Sequence, residues 1–449
     1  MSERLLYLQN FGCQMNDYDV HRMVEVLRKE GYRLTDAREQ ADLVVINTCA
    51  IRENCENKVL SSAGTLRGLK QGKRDVVIAI GGCVATQRGE SLLRAIPHAD
   101  LIFGPDAIVR LPQLLDAVRT ERRRYAAVDF IDVEDYEFLD ADPQPGDVKV
   151  SALVTIQKGC DNFCAYCVVP RTRGREVSRP LPEVVREVER FVSVGAREVT
   201  LIGQNVNVYH GAGGGPEDFP RLLEAVCALP GLARVRFTTS HPKYYTDRTS
   251  ECFRDLHKLG KWLHLPVQSG STRTLQRMLR EYSREEYLAK LGYLRECCPD
   301  ISVTTDIIVG FPGETEADFA DTLSLLSEAQ YDSIYSFKYS PRPGTPAFAE
   351  ADDVSVEEKS DRLAQVQALQ REITARRLAR LLGRTETVLC EGESKQGGGQ
   401  LCGRTSGNHV VNFLLPDGQV AADFVGRELN VRILETRAHT LLGTLAAAD

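Results

Sequence analysis

The feature that most constrains this chain is a short loop, KGCDNFCAYC, which follows the strand-like run SALVTIQ and carries Cys160, Cys164 and Cys167. Thiolates at this spacing hold an iron–sulfur cluster, and a four-iron cube takes four of them. Three from one loop leave one iron open to bind and activate a ligand. A zinc clip or a disulfide is the alternative. Structural zinc sites, however, take four ligands in paired spacings, and no histidine or fourth cysteine lies nearby in sequence. Phe163 and Tyr166 interleave the cysteines, as expected of rings that shield a cluster and pack near an adenine.

Residues 1–145 read as alternating strands and helices. LLYLQ, DLVVIN, VVIAIG and ADLIFG are short apolar runs, and DYDVHRMVEVLRKEG between the first two puts Val20, Met23, Val24 and Leu27 on one helical face. This pattern predicts a parallel α/β sheet, in which ligands gather beyond the carboxyl ends of the strands. Cys13, Cys49 and Cys83 each follow one of the first three runs, so the sheet is expected to bring them to one edge as a second cluster site with an open iron. Cys55, about a turn and a half after Cys49, reads as a helix residue rather than a ligand.

Residues 146–375 continue with six further strand-like runs, SALVTIQ, REVTLIG, ARVRFTT, KWLHLPV, ISVTTDIIVG and YDSIYSFKYS, separated by helical patterns. Six βα units predict a partial (β/α)6 barrel whose chemistry collects at the carboxyl ends of its strands. The polar groups there are Gln204, Asn205, Ser240, His241, Gln268 and the stretch Gly310 to Gly313. Any of them could meet a cofactor, although an Asn or Gln after a strand is often only a helix cap.

VEEKSDRLAQVQALQREITARRLARLLG then reads as one long helix with Leu363, Val366, Leu369 and Ile373 on a stripe. Strand-like TETVLCEG, HVVNFLL and ELNVRILETRA follow, broken by glycine-rich turns, and predict a small β-barrel over 376–445. The formal net charge of the whole chain is −7, which does not advertise nucleic-acid binding, yet this last segment carries a slight basic excess. The chain has 13 cysteines but neither an apolar signal core at MSERLLYLQNFG nor a run near the ~18 residues of a membrane span, so reduced thiols and a cytoplasmic location are expected.

Taken together, FGCQMN, NTCAIRENCENK, GGCVATQ, GCDNFCAYCVVPRTRGREVSRP, LIGQNVNVY, HLPVQSGS, DIIVGFPGETEADF, YSPRPGTPA and EGESKQGGGQLCGRTSGNHVVNF resemble the radical S-adenosylmethionine (SAM) methylthiotransferases of the MiaB type. The resemblance spans nearly the whole chain. It implies an amino-terminal methylthiotransferase domain, a radical SAM barrel and a TRAM domain that contacts RNA. It also implies two [4Fe–4S] clusters, with Cys13, Cys49 and Cys83 on the auxiliary one and Cys160, Cys164 and Cys167 on the one that binds SAM. Two SAM molecules per product, a tRNA carrying N6-isopentenyladenosine in its anticodon loop, an electron-donor protein and iron–sulfur assembly or sulfur-delivery proteins follow from the same resemblance, and a monomer is expected. Arg171 stands where the family commonly has Tyr, and Cys55 where relatives have Ala.

Tyr166, Gln204, Asn205, Ser240 and Gln268 are the candidate SAM contacts, and Arg173, Arg175, Lys395 and Arg404 the candidate contacts to RNA phosphates. RNA is read specifically where loop bases can be splayed out and stacked, which an anticodon loop allows. Competing readings are a methylthiotransferase for N6-threonylcarbamoyladenosine in tRNA or for a ribosomal-protein aspartate, and, from another class, a non-catalytic iron–sulfur RNA-binding protein. The open ligand position argues for an enzyme.

Overall fold

The computed structural model describes residues 4–50, 53–72, 75–395, 397, 399–415 and 420–446, without the side chains of residues 53–57 and 71. The chain divides into two compact units, one of residues 1–142, 157–163 and 167–179, the other of 143–156, 164–166 and 180–449.

The first unit is built on six parallel strands, β1 (Arg4–Phe11), β2 (Tyr32–Leu34), β3 (Leu43–Thr48), β4 (Val77–Gly82), β5 (Leu101–Phe103) and β6 (Tyr125–Ala127), in the order β2-β1-β3-β4-β5-β6. The apolar runs behind β1, β3, β4 and β5 are nearly continuous because this sheet is covered on both faces. Val44, Ile46, Ile78, Ile80 and Ile102 pack on one side, and Leu43, Val45, Val77, Ala79 and Leu101 on the other. The short strands β2 and β6 carry too few apolar residues to stand out in the sequence. On helix Gln14–Lys29 Met23 and Leu27 are buried as expected, but Asn16, Asp19 and Arg22 are buried beside them. Cys55 lies within helix Glu53–Thr65, and its side chain is outside the described residues.

Six parallel strands form the body of the second unit. They are β7 (Ser151–Thr155), followed after the small first-unit pair β8 (Gln157–Lys158) and β9 (Val177–Ser178) by β10 (Glu198–Ile202), β11 (Arg234–Phe237), β12 (Trp262–His264), β13 (Ser302–Val309) and β14 (Ser333–Lys338). They pair as β11-β10-β7 and β12-β13-β14, with a parallel bridge from Val235 to Leu259 at the seam. This is the open six-stranded βα barrel that the spacing predicts. Capping boxes at Ser283 and Thr315 start helices Arg284–Cys297 and Glu316–Ala329, each satisfying otherwise orphaned N–H groups.

Helix Val356–Ala379 buries Lys359, Arg362, Val366, Gln370 and Ile373. Its packed face is therefore more polar than the predicted leucine stripe, with Leu363 and Leu369 only half-buried at its margin. Arg362 pairs there with the buried Glu314, and Gln370 donates to the Tyr331 carbonyl. The carboxyl-terminal barrel is closed, in the order β15 (Thr385–Glu393), β16 (Gln400–Thr405), β17 (Val410–Leu414), β19 (Leu441–Leu445) and β18 (Glu428–Thr436). Closure removes every free edge, so five strands suffice around a core of Val388, Leu401, Val411, Phe413, Val431 and Ile433. Buried Arg234 and Arg236 of β11 donate to the carbonyls of Arg404, Thr405 and Ser406, which ties this barrel to the larger one.

Candidate functional site

In the first unit the register of the sheet places the three early cysteines. Phe11 lies opposite Thr48, and Thr48 opposite Gly82, so adjacent strands β1, β3 and β4 end level and each is followed within two residues by a cysteine. Cys13 caps helix Gln14–Lys29, its carbonyl accepting from the Asn16 and Asp17 amides. The gap is laced by side-chain donors: the Asn16 amide donates to the Thr48 carbonyl at 2.8 Å, the Asn47 amide to the Asn16 carbonyl at 3.0 Å, and the Thr48 hydroxyl to the Gly81 carbonyl at 2.6 Å. Gly82 has φ +94° and ψ −161°, a conformation essentially confined to glycine, and a Cβ there would meet the Thr48 carbonyl oxygen at 2.3 Å. Glycine is what allows β4 to turn Cys83 toward its neighbours.

Cys13 senses both of the other thiols. Hydrogen bonding from Cys49 lowers the Cys13 thiol to about 6, helped by the Arg173 guanidinium and against the effect of burial. Burial pushes Cys83 up, opposed by the same guanidinium. Arg173 is itself buried; its Nε donates to Cys83 Sγ at 3.2 Å while its other nitrogens clasp Asp19 at 3.1 and 2.6 Å. Burial lowers the guanidinium, but Asp19 and the sulfurs outweigh it and hold Arg173 charged, well above its ordinary range. This corrects one expectation from the sequence: Arg173 is not available to a phosphate, because burial and a forked ion pair have already committed all its reach.

Each sulfur of the CxxxCxxC loop receives an N–H. The Asn162 amide points at Cys160 Sγ at 3.4 Å, and the Val169 amide at Cys167 Sγ at 3.5 Å. Gly159 opens the loop at φ +72°, where a Cβ would lie 1.9 Å from the Arg175 carbonyl oxygen. In the second unit Arg280 Nη1 lies 3.4 Å from Cys164 Sγ, and His241 Nε2 lies 4.0 Å from it. Burial, then the charges of Arg280, Lys243 and Lys290, push His241 down to about 2, so its ring is neutral at ordinary pH. Among the described residues no three His, Cys, Asp or Glu side chains are gathered to hold a single metal ion.

The carboxyl ends of the barrel strands carry features of a polar ligand site. Ser240 Oγ, just beyond β11, and Thr155 Oγ1, at the end of β7, are buried with no hydrogen-bond partner among the described residues. An unsatisfied buried hydroxyl costs about 1–3 kcal/mol unless something supplies a partner. Thr239 and Gln268 adopt φ of +72° and +78°, backbone strain of the kind that collects at functional sites. Gln268 is buried with its backbone bridged to β13, Asn205 is buried, and Gln204 and Tyr166 are half-buried. Of the expected RNA contacts, Arg175 is exposed but paired with Asp161 at 2.7 Å, Arg404 is paired with Glu391 at 3.2 Å, and Lys395 is exposed in a turn.

Sequence reasoning missed Asp19, Asn207 and Arg280. Asn207 clamps the backbone of His241 through bonds of 2.8 and 2.9 Å. The sequence signal for Arg280, an Arg in LREYS between two helices, is that of an ordinary surface loop.

Comparison with known proteins decides the family. Residues 5–104 match the family described as Uncharacterized protein family UPF0004, 154–326 the Radical SAM superfamily and 379–446 the TRAM domain. Over 448 residues the chain is 46% identical to the tRNA-2-methylthio-N(6)-dimethylallyladenosine synthases of Burkholderia thailandensis and Burkholderia mallei (strain SAVP1), covering 99% of this chain and 97% of each relative. The chain belongs to this family of radical SAM methylthiotransferases. Two solved structures are similar in fold at low identity. The radical SAM methyltransferase TsrM from Kitasatospora setae gives a TM-score of 0.59 at 15% identity, over 77% of this chain and 75% of that one. The cobalamin-dependent SAM radical enzyme OxsB gives 0.51 at 11%, over 82% of this chain and 56% of that one. A radical SAM methylthiotransferase uses SAM and a [4Fe–4S] cluster, and the loop of Cys160, Cys164 and Cys167 lies inside the matched radical SAM segment. No helix among the described residues is long and apolar enough to cross a membrane.

Proposed function

We propose that this methylthiotransferase converts N6-isopentenyladenosine, next to the anticodon of tRNA, into its 2-methylthio derivative. The observation that carries the reading is the 46% identity, end to end, with relatives named for that product. C2 of adenosine bears an unactivated aromatic C–H that no side chain can deprotonate, so the hard step belongs to cofactors. In this reading Cys160, Cys164 and Cys167 hold a [4Fe–4S] cluster that binds SAM, and Cys13, Cys49 and Cys83 hold a second. Bound there, these groups supply one-electron cleavage of SAM and the sulfur that reaches C2, with two SAM consumed per product.

The residues present suit those groups. Three thiols stand at level strand ends; Cys13 is already lowered to about 6, and the Arg173 guanidinium favours the thiolate of both Cys13 and Cys83, against the burial that pushes Cys83 up. The N–H donors on each sulfur of the later loop support ligation and orientation in the same way. Ser240 and Thr155 offer hydroxyls to the polar groups of SAM, with Tyr166, Gln204, Asn205 and Gln268 assigned to the same ligand. The carboxyl-terminal barrel, through Lys395 and Arg404, is assigned to the RNA backbone. The methylthiotransferase, radical SAM and TRAM domains are assigned to 1–145, 146–375 and 376–445. An electron donor and a sulfur-delivery or cluster-assembly partner complete the system.

Nucleoside mass spectrometry of tRNA from cells with and without the chain tests the reading. A methylthio group gained on N6-isopentenyladenosine is the expected result. Gain only on N6-threonylcarbamoyladenosine, or on no nucleoside, overturns it.

A further inference from the structure

Among the described residues Arg280 has no ordinary counter-charge. Its side chain is buried, with Nε donating to the Tyr282 hydroxyl at 2.9 Å, Nη2 to the Pro266 carbonyl at 2.9 Å and Nη1 directed at Cys164 Sγ at 3.4 Å. Among the described residues no carboxylate lies within ion-pair distance of it. A buried charge without a partner is strongly destabilising, and arginine cannot escape by losing its proton. Arg173 shows the contrast within the first unit: it also donates to a cysteine sulfur, but Asp19 balances it. The counter-charge that Arg280 lacks among the described residues is therefore expected from what Cys164 carries.

The backbone is arranged to keep Arg280 in place. Leu279 and Glu281 on either side adopt φ of +58° and +54°, a left-handed conformation unfavourable for both residue types. Such strain persists where the surroundings over-determine it, and here they do. Glu281 is pinned by Lys243 at 2.6 Å, and the Met278 carbonyl accepts from the Ala165 amide, next to Cys164, at 3.0 Å. On the other approach to the sulfur stands His241. Its Nδ1 accepts from the Lys243 amide at 3.2 Å, which leaves the ring proton on Nε2, the nitrogen nearer Cys164.

We propose that Arg280, assisted by the Nε2–H of His241, is the positioning and charge-compensating residue of the radical cluster, raising the potential at which that cluster takes up its electron. The inference rests on the assignment of Cys164 as a cluster ligand. One-electron reduction, by a low-potential donor, adds a negative charge to the cluster. Hydrogen bonds to its sulfurs and a fixed positive charge nearby stabilise the reduced form and so ease that reduction. Tyr282 serves at one remove, its hydroxyl accepting from Arg280 while donating to the Val267 carbonyl at 2.8 Å.

The test uses full-length protein with Cys13, Cys49 and Cys83 replaced by Ala, reconstituted anaerobically so that only the radical cluster is present. Its midpoint potential is read by electron paramagnetic resonance during a redox titration, beside iron content. Arg280→Gln is expected to retain the iron and titrate at a more negative potential, with Arg280→Lys between Gln and the parent and His241→Phe shifted less in the same direction. Unchanged potentials in Arg280→Gln and His241→Phe overturn the proposal. If Arg280→Gln fails to hold iron, Arg280→Lys and His241→Phe decide: lowered potentials in both support it, and parental potentials in both overturn it. A parent that binds no iron at all instead overturns the ligand assignment, and the proposal falls with it.

Discussion

Replacing Arg173 by Met should open the first unit by an amount set by the carboxylate left behind. Asp19 is 5% exposed and receives two guanidinium bonds, at 3.1 and 2.6 Å. Breaking a buried pair from one side costs about 3–5 kcal/mol, because the surviving charge remains desolvated. Two charge-assisted bonds at about 1.5–3 kcal/mol each bound the same range. At 1.4 kcal/mol per tenfold, amides of β3 and β4 should exchange with solvent roughly a hundred- to a few thousandfold faster in native-state hydrogen exchange. Asp19→Leu combined with Arg173→Met removes both charges and should restore protection to within about 1–2 kcal/mol of the parent, since an apolar replacement of the whole pair is often near neutral. Peptides from β15 to β19 serve as the internal control. Exchange in Arg173→Met within threefold of the parent, or a double variant as labile as the single one, would refute the reasoning.

Further expectations follow from the same geometry. Changing Cys13, Cys49 and Cys83 together to Ala should reduce reconstituted iron from about eight to about four atoms per chain, leaving SAM cleavage while methylthio transfer disappears; product formation by that variant would sink the two-site reading. Gly82→Ala requires a glycine-only conformation, at about 1–3 kcal/mol, in addition to its clash with Thr48, and should selectively lose the iron held beside β4; undiminished iron measured by colorimetric assay counts against the site. Lys395→Ala with Arg404→Ala should weaken tRNA binding uniformly across sequences and flatten its salt dependence by about one contact each; an unaltered salt slope would make the carboxyl-terminal barrel structural only.

The sequence by itself determined most of the architecture. Apolar runs long enough to cross a doubly covered sheet announce β1, β3, β4 and β5, and six regular βα repeats announce the larger barrel. The chemistry was legible for a related reason: a CxxxCxxC loop is local, so its meaning does not depend on what lies elsewhere in the chain. The strands left unread, β2, β6, β8, β9, β16 and β19, are short or interrupted by glycine, and only their partners make them strands.

What the tertiary structure decided is which charges are spent. Arg173 and Arg175 stand two residues apart and look alike in sequence, yet one is buried against Asp19 and Cys83 and the other is exposed beside Asp161. Arg280 looks like a loop residue and lies buried at Cys164. Local pattern records the period of apolar side chains, because that period fixes which face is buried. It does not record the partner of a polar group, since a hydrogen bond or ion pair can join residues 154 positions apart, as Asp19 and Arg173 are. Only the folded chain brings such pairs within reach.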